Sequence, residues 1–148
     1  YYSIENGYNS RLDEVHAKIL SFKLQSLESY VMRRRQLAEN YRQELDDSGL
    51  ILPEVAKGNY HAYYLYVVRH PDRDTIIDEL KKQNVFLNIS YPWPIHTMRG
   101  YSSLGYKEGD LPVTEALAND IFSLPMYPSL TDGEQEYVCN ALRAILGK

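Results

Sequence analysis

His96 is the residue best placed for chemistry in this 148-residue chain. It ends the run Tyr91-Pro92-Trp93-Pro94-Ile95-His96. An imidazole can donate, accept or ligate near neutral pH, and two prolines restrict the backbone that carries it. Rigid loops at strand ends gather ligand contacts, and Ser90 and Tyr91 belong to the same loop. A packed structural corner would use the same residues, and local pattern leaves both readings open. His16, His61 and His70 are scattered without metal-ligand spacing, so no metal site is expected. Arg33-Arg34-Arg35 point in different directions if helical, which favours a solvated face over a phosphate site. Asn9-Ser10-Arg11 precede a helical pattern, where free amides and the helix dipole suit an anion. Capping by Asn9 or Ser10 explains the same residues, and both readings stand. There is no P-loop, GxGxxG, GxSxG or HExxH. Cys139 is the one cysteine, expected to be a buried, inert thiol; no internal disulfide or cysteine-based zinc site can form.

The surrounding composition is that of one globular domain, 44% hydrophobic and 24% charged. A net charge of −4, from 16 basic and 20 acidic residues, argues against nucleic-acid binding. No apolar run approaches the ~18 residues of a membrane span, and no signal-peptide pattern opens the chain. A reducing, cytoplasmic location is expected. The chain opens Tyr1-Tyr2-Ser3 and reaches its first methionine at Met32, which suggests a processed, truncated or partial chain.

Positions 9–48 contain no Gly or Pro, and their apolar residues recur at steps of three and four: Leu12, Val15, Ile19, Phe22, then Leu20, Leu24, Leu27, Val31, then Leu37, Tyr41, Leu45. That spacing predicts one long helix, bent or broken somewhere, with Ser10 and Asp13 resembling a capping box. About 35 residues would span roughly 50 Å, more than a domain this small needs. It reads as a connecting helix. Further on, 61–69 and 85–89 read as strands, 73–83 as a helix stopped by Asn84, and 90–96 as irregular. Helices are expected over 113–122 and 133–146, the latter opened by the capping box Thr131-Asp132-Gly133-Glu134, with a short extended piece at 123–126. The expected fold class is α+β: a linking helix, then a sheet of about three strands covered by helices. The implied division is 1–48 for the N-terminal loop and linking helix, and 49–148 for a small C-terminal domain.

Several ordered segments carry a family resemblance. Gly7-Tyr8-Asn9-Ser10-Arg11-Leu12-Asp13-Glu14, followed by Ala17 and Ile19-Leu20, resembles the GYNSRLDELQAAIL segment of the DegT/DnrJ/EryC1/StrS aminotransferases. The strand at 61–69 resembles that family's HxYHLYVVR, Pro71-Asp72-Arg73-Asp74 its PxRD helix start, and Ser90 to His96 its HYPxPLH loop. Tyr101 to Tyr106, Leu111-Pro112-Val113-Thr114-Glu115 and Ser123 to Pro128 follow at family spacing, so the resemblance covers nearly the whole chain.

The resemblance implies the C-terminal portion of a fold-type-I enzyme dependent on pyridoxal phosphate (PLP). Such an enzyme aminates a keto-deoxysugar on a nucleotide carrier, with glutamate as the implied donor and PLP and its amino form PMP as cofactor. None of the seven lysines sits in a matching motif, so the Schiff-base lysine is expected upstream and the chain alone should be inactive. By position, Asn9 matches the asparagine that reaches the partner subunit's PLP phosphate, which implies a homodimer with shared active sites. His96 matches the loop histidine that faces the sugar nucleotide, with Tyr91 and Ser90 beside it. Ser90 stands where many members have His, and His16 and Lys18 replace the common Gln and Ala. Two alternatives remain: a PMP-dependent sugar dehydratase of the same family, and a non-catalytic binding or dimerisation module.

Overall fold

The computed structural model describes residues 12–147. The predicted long helix is two helices. Helix α1, Glu14–Leu24, is capped by Asp13, whose carboxylate accepts from the amides of Val15 (2.8 Å) and His16 (3.1 Å). Ser10 lies outside the described residues. The break falls at Gln25 and Ser26, whose amides turn back three residues to Phe22 and Lys23. Tightened bonds of this kind close a helical turn. Helix α2, Leu27–Leu45, restarts there and buries Leu37, Ala38, Tyr41 and Leu45, a stripe at steps of four. No residue of α1 is buried.

The sheet is smaller than the three strands expected. Strand β1, Tyr66–Arg69, pairs antiparallel with β2, Ile121–Leu124, in the register Tyr66 to Leu124 and Arg69 to Ile121. Single bridges flank this ladder: Ile51 to Arg69 on one side and Asn88 to Ser123 on the other. Two physical reasons account for the difference. His61 Nδ1 accepts the Tyr63 amide at 2.8 Å and Tyr63 sits at φ 48°, so a side-chain turn replaces the first half of the predicted strand. In 85–89, Val85, Leu87 and Ile89 still pack on the core, but only Asn88 bridges to the sheet. Alternation records burial, and it does not specify a ladder partner.

Helix α3, Arg73–Lys82, buries Ile76 and Leu80 and stops at Asn84, which takes the left-handed φ of 59° foreseen for it. Helix α4, Pro112–Asp120, begins with proline in its first turn and runs straight into β2, two residues short of its expected end. Helix α5, Asp132–Leu146, opens with the full reciprocal capping box between Thr131 and Glu134. It packs against both α2 and α3. Buried Gln135 donates to the Leu37 carbonyl at 2.7 Å and accepts from Asn40, tying α5 to α2 through the core edge. Arg33 does the same at the rim, donating to the Leu130 carbonyl (2.6 Å) and Asp132 (2.7 Å).

One apolar cluster joins α2, α3, α5 and both strands, with Tyr41, Tyr66, Phe122, Leu37, Leu80 and Leu142 sealed inside. Burying such side chains supplies roughly 1.5–3 kcal/mol each relative to exposure. Cys139 is buried among them, and desolvation pushes its thiol up to about 12, so it stays protonated and inert near neutral pH. Among the described residues, no helix is long and apolar enough to cross a membrane.

Candidate functional site

The candidate site grows from the segment between Asn88 and α4. Pro92 and Pro94 keep it out of any ladder, and the chain then folds into two short 3-10 turns, Ile95–Thr97 and Arg99–Leu104. The Thr97 hydroxyl and amide both donate to the Pro94 carbonyl, closing the first turn around His96. Side chains along the run then divide. Tyr91 is 72% exposed, with Trp93 and Ile95 also outward, while His96 is 8% exposed. Ser90 is half-buried, and its hydroxyl accepts from Asn88 Nδ2 at 3.2 Å.

His96 is held by a residue with no role in the sequence-level site. Its Nε2 lies 2.8 Å from Oε1 of Glu115 on α4. The Tyr106 ring meets the imidazole edge-on, with centroids 6.4 Å apart. The same carboxylate collects backbone donors. The Gly109 amide reaches both of its oxygens at 2.9 Å, and the Leu111 amide reaches Oε1 at 3.2 Å. The His96 contact and then the Gly109 amide, with a lesser part from the Leu111 amide, hold the Glu115 carboxyl below its ordinary value of 4.5 against the opposing effect of desolvation. An ionised carboxylate is an acceptor only, so the His96 Nε2 donates to it.

The structure therefore joins His96 to Glu115 and Tyr106, and places Ser90 and Tyr91 on the neighbouring stretch of the same loop. Asn9, with Ser10 and Arg11, lies outside the described residues. Glu115 closes the family-like segment Leu111-Pro112-Val113-Thr114-Glu115 but has no assigned role there, and its local signal is an acid in the first turn of a proline-opened helix beside a glycine loop. His61 and His70 each accept a backbone amide two residues on, at Tyr63 and Asp72, which is turn chemistry. The three arginines diverge as expected: Arg33 binds Leu130 and Asp132, Arg35 stacks on Tyr60, and Arg34 lies over Tyr64. An open apolar groove of about 780 Å³ lies elsewhere, lined by Val85, Phe86, Met126, Tyr127, Leu130 and Tyr137 among others, with none of the site residues in it.

The described residues do not fit a PLP site by themselves. That chemistry needs an amine desolvated against the cofactor. Lys18, Lys23, Lys57, Lys81, Lys82 and Lys107 are all exposed. Among the described residues, no cluster of His, Cys, Asp and Glu could hold a metal ion.

Known proteins resemble this chain over nearly its whole length. The dTDP-3-amino-3,4,6-trideoxy-alpha-D-glucose transaminase of Micromonospora megalomicea subsp. nigra is 54% identical over 145 residues, covering 95% of this chain and 39% of that protein. The crystal structure of Streptomyces venezuelae DesV in complex with a ketimine intermediate superposes with a TM-score of 0.94 at 32% identity, covering all of this chain and 40% of DesV. The Bacillus subtilis ntda structure with bound cofactor PMP gives a TM-score of 0.87 at 26% identity, covering 99% of this chain and 35% of its own. The chain thus spans about two-fifths of the length of the curated relatives it matches, and the matched structures align through their C-terminal portion. Residues 1–143 match the DegT/DnrJ/EryC1/StrS aminotransferase family, and the chain belongs to it.

Proposed function

We propose that this chain is the C-terminal region of a PLP-dependent aminotransferase that moves an amino group, with glutamate as donor, onto a keto-deoxysugar carried on dTDP or UDP. The observation that carries this reading is the 54% identity to a dTDP-sugar transaminase across 95% of the chain. PLP supplies the electron sink and amino carrier of such reactions. The exposed lysines support placing the groups that hold it on residues other than those described.

This chain's own contribution is binding and orientation. Residues 49–148 act as the small domain that covers the sugar, and 1–48 link it to the rest of the enzyme. Asn9 contributes a polar contact to the cofactor phosphate of the partner subunit in a cytoplasmic homodimer. Ser90, Tyr91 and His96 line the sugar-nucleotide side. The exposed Tyr91 and Trp93 rings offer apolar faces to a sugar or base, and His96 offers a held ring nitrogen.

The test compares the 148-residue chain with the longer enzyme that contains it. Each is given glutamate and dTDP-linked keto-sugars, 2-oxoglutarate release is followed, and cofactor uptake is read from the visible absorbance of PLP. Transfer and a cofactor band are expected for the longer enzyme and neither for the chain. Stoichiometric PLP binding by the chain alone would refute the division of labour. A longer enzyme that eliminates water from the sugar and transfers no nitrogen would refute the reaction.

A further inference from the structure

Glu115 is the most connected side chain of the candidate site, and the sugar-facing reading of His96 does not use it. Its carboxylate joins three separate segments: the turn at 95–97, the loop at 107–111, and its own helix α4. The loop is shaped to meet it. The Lys107 amide donates to Asp110 Oδ2 at 2.8 Å, and the Asp110 amide returns to the Lys107 carbonyl. That turn places Gly109 at φ 93°, a conformation that favours glycine, and turns the Gly109 and Leu111 amides onto one carboxylate. The Glu115 side chain is 19% exposed and that of His96 6%, so the pair is largely shielded from competing water.

This arrangement decides where the imidazole carries its proton. With Glu115 ionised, Nε2 must be the donor, and in the neutral ring Nδ1 is left with its lone pair. Among the described residues, Nδ1 has no hydrogen-bond partner. It is also not one of the sealed, unpartnered atoms, which among the described residues are Arg34 Nε, Tyr66 Oη and Arg69 Nε. A histidine fixed by a carboxylate on one nitrogen presents the other nitrogen in one defined state and direction.

We propose that Glu115 is a positioning residue for His96. It holds the ring as the Nε2–H tautomer, so that Nδ1 accepts a hydrogen bond from a hydroxyl or N–H group of the nucleotide sugar, and it pins the 107–111 loop beside that contact. The proposal rests on the reading that His96 faces the sugar. A carboxamide at position 115 can turn either its oxygen or its NH2 toward the ring, so Glu115→Gln releases the tautomer while keeping the shape. Glu115→Asp keeps the charge and loses reach.

The ring nitrogens of His96 in the 148-residue chain, observed by 15N NMR at a pH above the ring's own titration, give a test independent of activity. A protonated Nε2 and a bare Nδ1 are expected in the unmodified chain, and a mixture of tautomers in Glu115→Gln. A predominant Nδ1–H form in the unmodified chain overturns the proposal without any variant having to fold. In the longer enzyme, Glu115→Gln and His96→Phe are each expected to raise KM for the nucleotide sugar about tenfold, the worth of one good hydrogen bond, with KM for glutamate unchanged. The double variant should be no worse than either single one, because both remove the same contact. Additive losses overturn the coupling. If the tautomer is as expected and His96→Phe leaves the sugar KM unchanged, the hold on the ring stands and the sugar-facing reading fails.

Discussion

Tyr41 and Tyr66 sit side by side in the core, with ring centroids 5.1 Å apart, yet their hydroxyls have different fates. Tyr41 Oη donates to the Pro125 carbonyl at 2.9 Å, and Tyr66 Oη is sealed without a partner. A buried hydroxyl that is bonded stabilises, and one that is not costs its desolvation. Tyr41→Phe should therefore destabilise the fold by about 1–2 kcal/mol, because it also strands the Pro125 carbonyl. Tyr66→Phe should be neutral or slightly stabilising. Urea unfolding of the two variants checks this, and the reverse ranking would refute it. Burial raises both phenols above their ordinary value of 10.0. A raised folded pKa means that the unfolded state ionises first, so this contribution is whole below pH 10 and falls away as the pH climbs above it.

Helix α5 shows which features of an element can be read in advance. Thr131 Oγ1 accepts the Glu134 amide at 3.2 Å, and the Glu134 carboxylate accepts the Thr131 amide at 2.8 Å, so each end satisfies the other. Those contacts hold the Glu134 carboxyl below its ordinary 4.5. The stability it contributes is present above that value and lost as pH falls through the lowered one. Thr131→Ala should cost about 1 kcal/mol, with Thr131→Ser close to neutral, both read from thermal or urea melts at neutral pH. Equal losses in the two would remove the cap as the cause. This box, the α3 stop at Asn84 and the α2 stripe were legible because each depends on residues within one or two turns of one another. Features set by one side chain meeting a distant or non-periodic partner were not. The His61 side-chain turn shortened β1, Asn88 alone bridged from 85–89, and Glu115 reached His96 across 19 positions. The candidate loop was visible as prolines, aromatics and a histidine, whereas the carboxylate that organises it looked like any acid in a first helical turn.

At the scale of the whole molecule, the apolar residues divide into two populations. The buried ones, all from Leu37 onward, form one core, while α1 adds nothing to it: Val15, Ile19, Leu20, Phe22 and Leu24 are all exposed, with Leu12 and Leu27 at its ends. An amphipathic helix normally hides its apolar stripe, and exposed apolar patches of this extent mark contact surfaces. The family relatives are about two and a half times as long, in keeping with a helix built to meet protein other than its own core. The isolated chain should therefore bind a hydrophobic dye such as ANS and associate as its concentration rises. Ile19→Lys with Phe22→Lys places charge on one stripe of α1, at steps of three and four from Val15. That pair should strongly reduce dye binding and association while leaving the urea midpoint unchanged, because neither residue belongs to the core. Dye fluorescence, sedimentation and denaturation on the same samples decide the matter. If the midpoint falls along with the dye signal, α1 is part of the cooperative fold. If neither changes, the sticky surface lies elsewhere, for example on the exposed Tyr91 and Trp93 of the site loop.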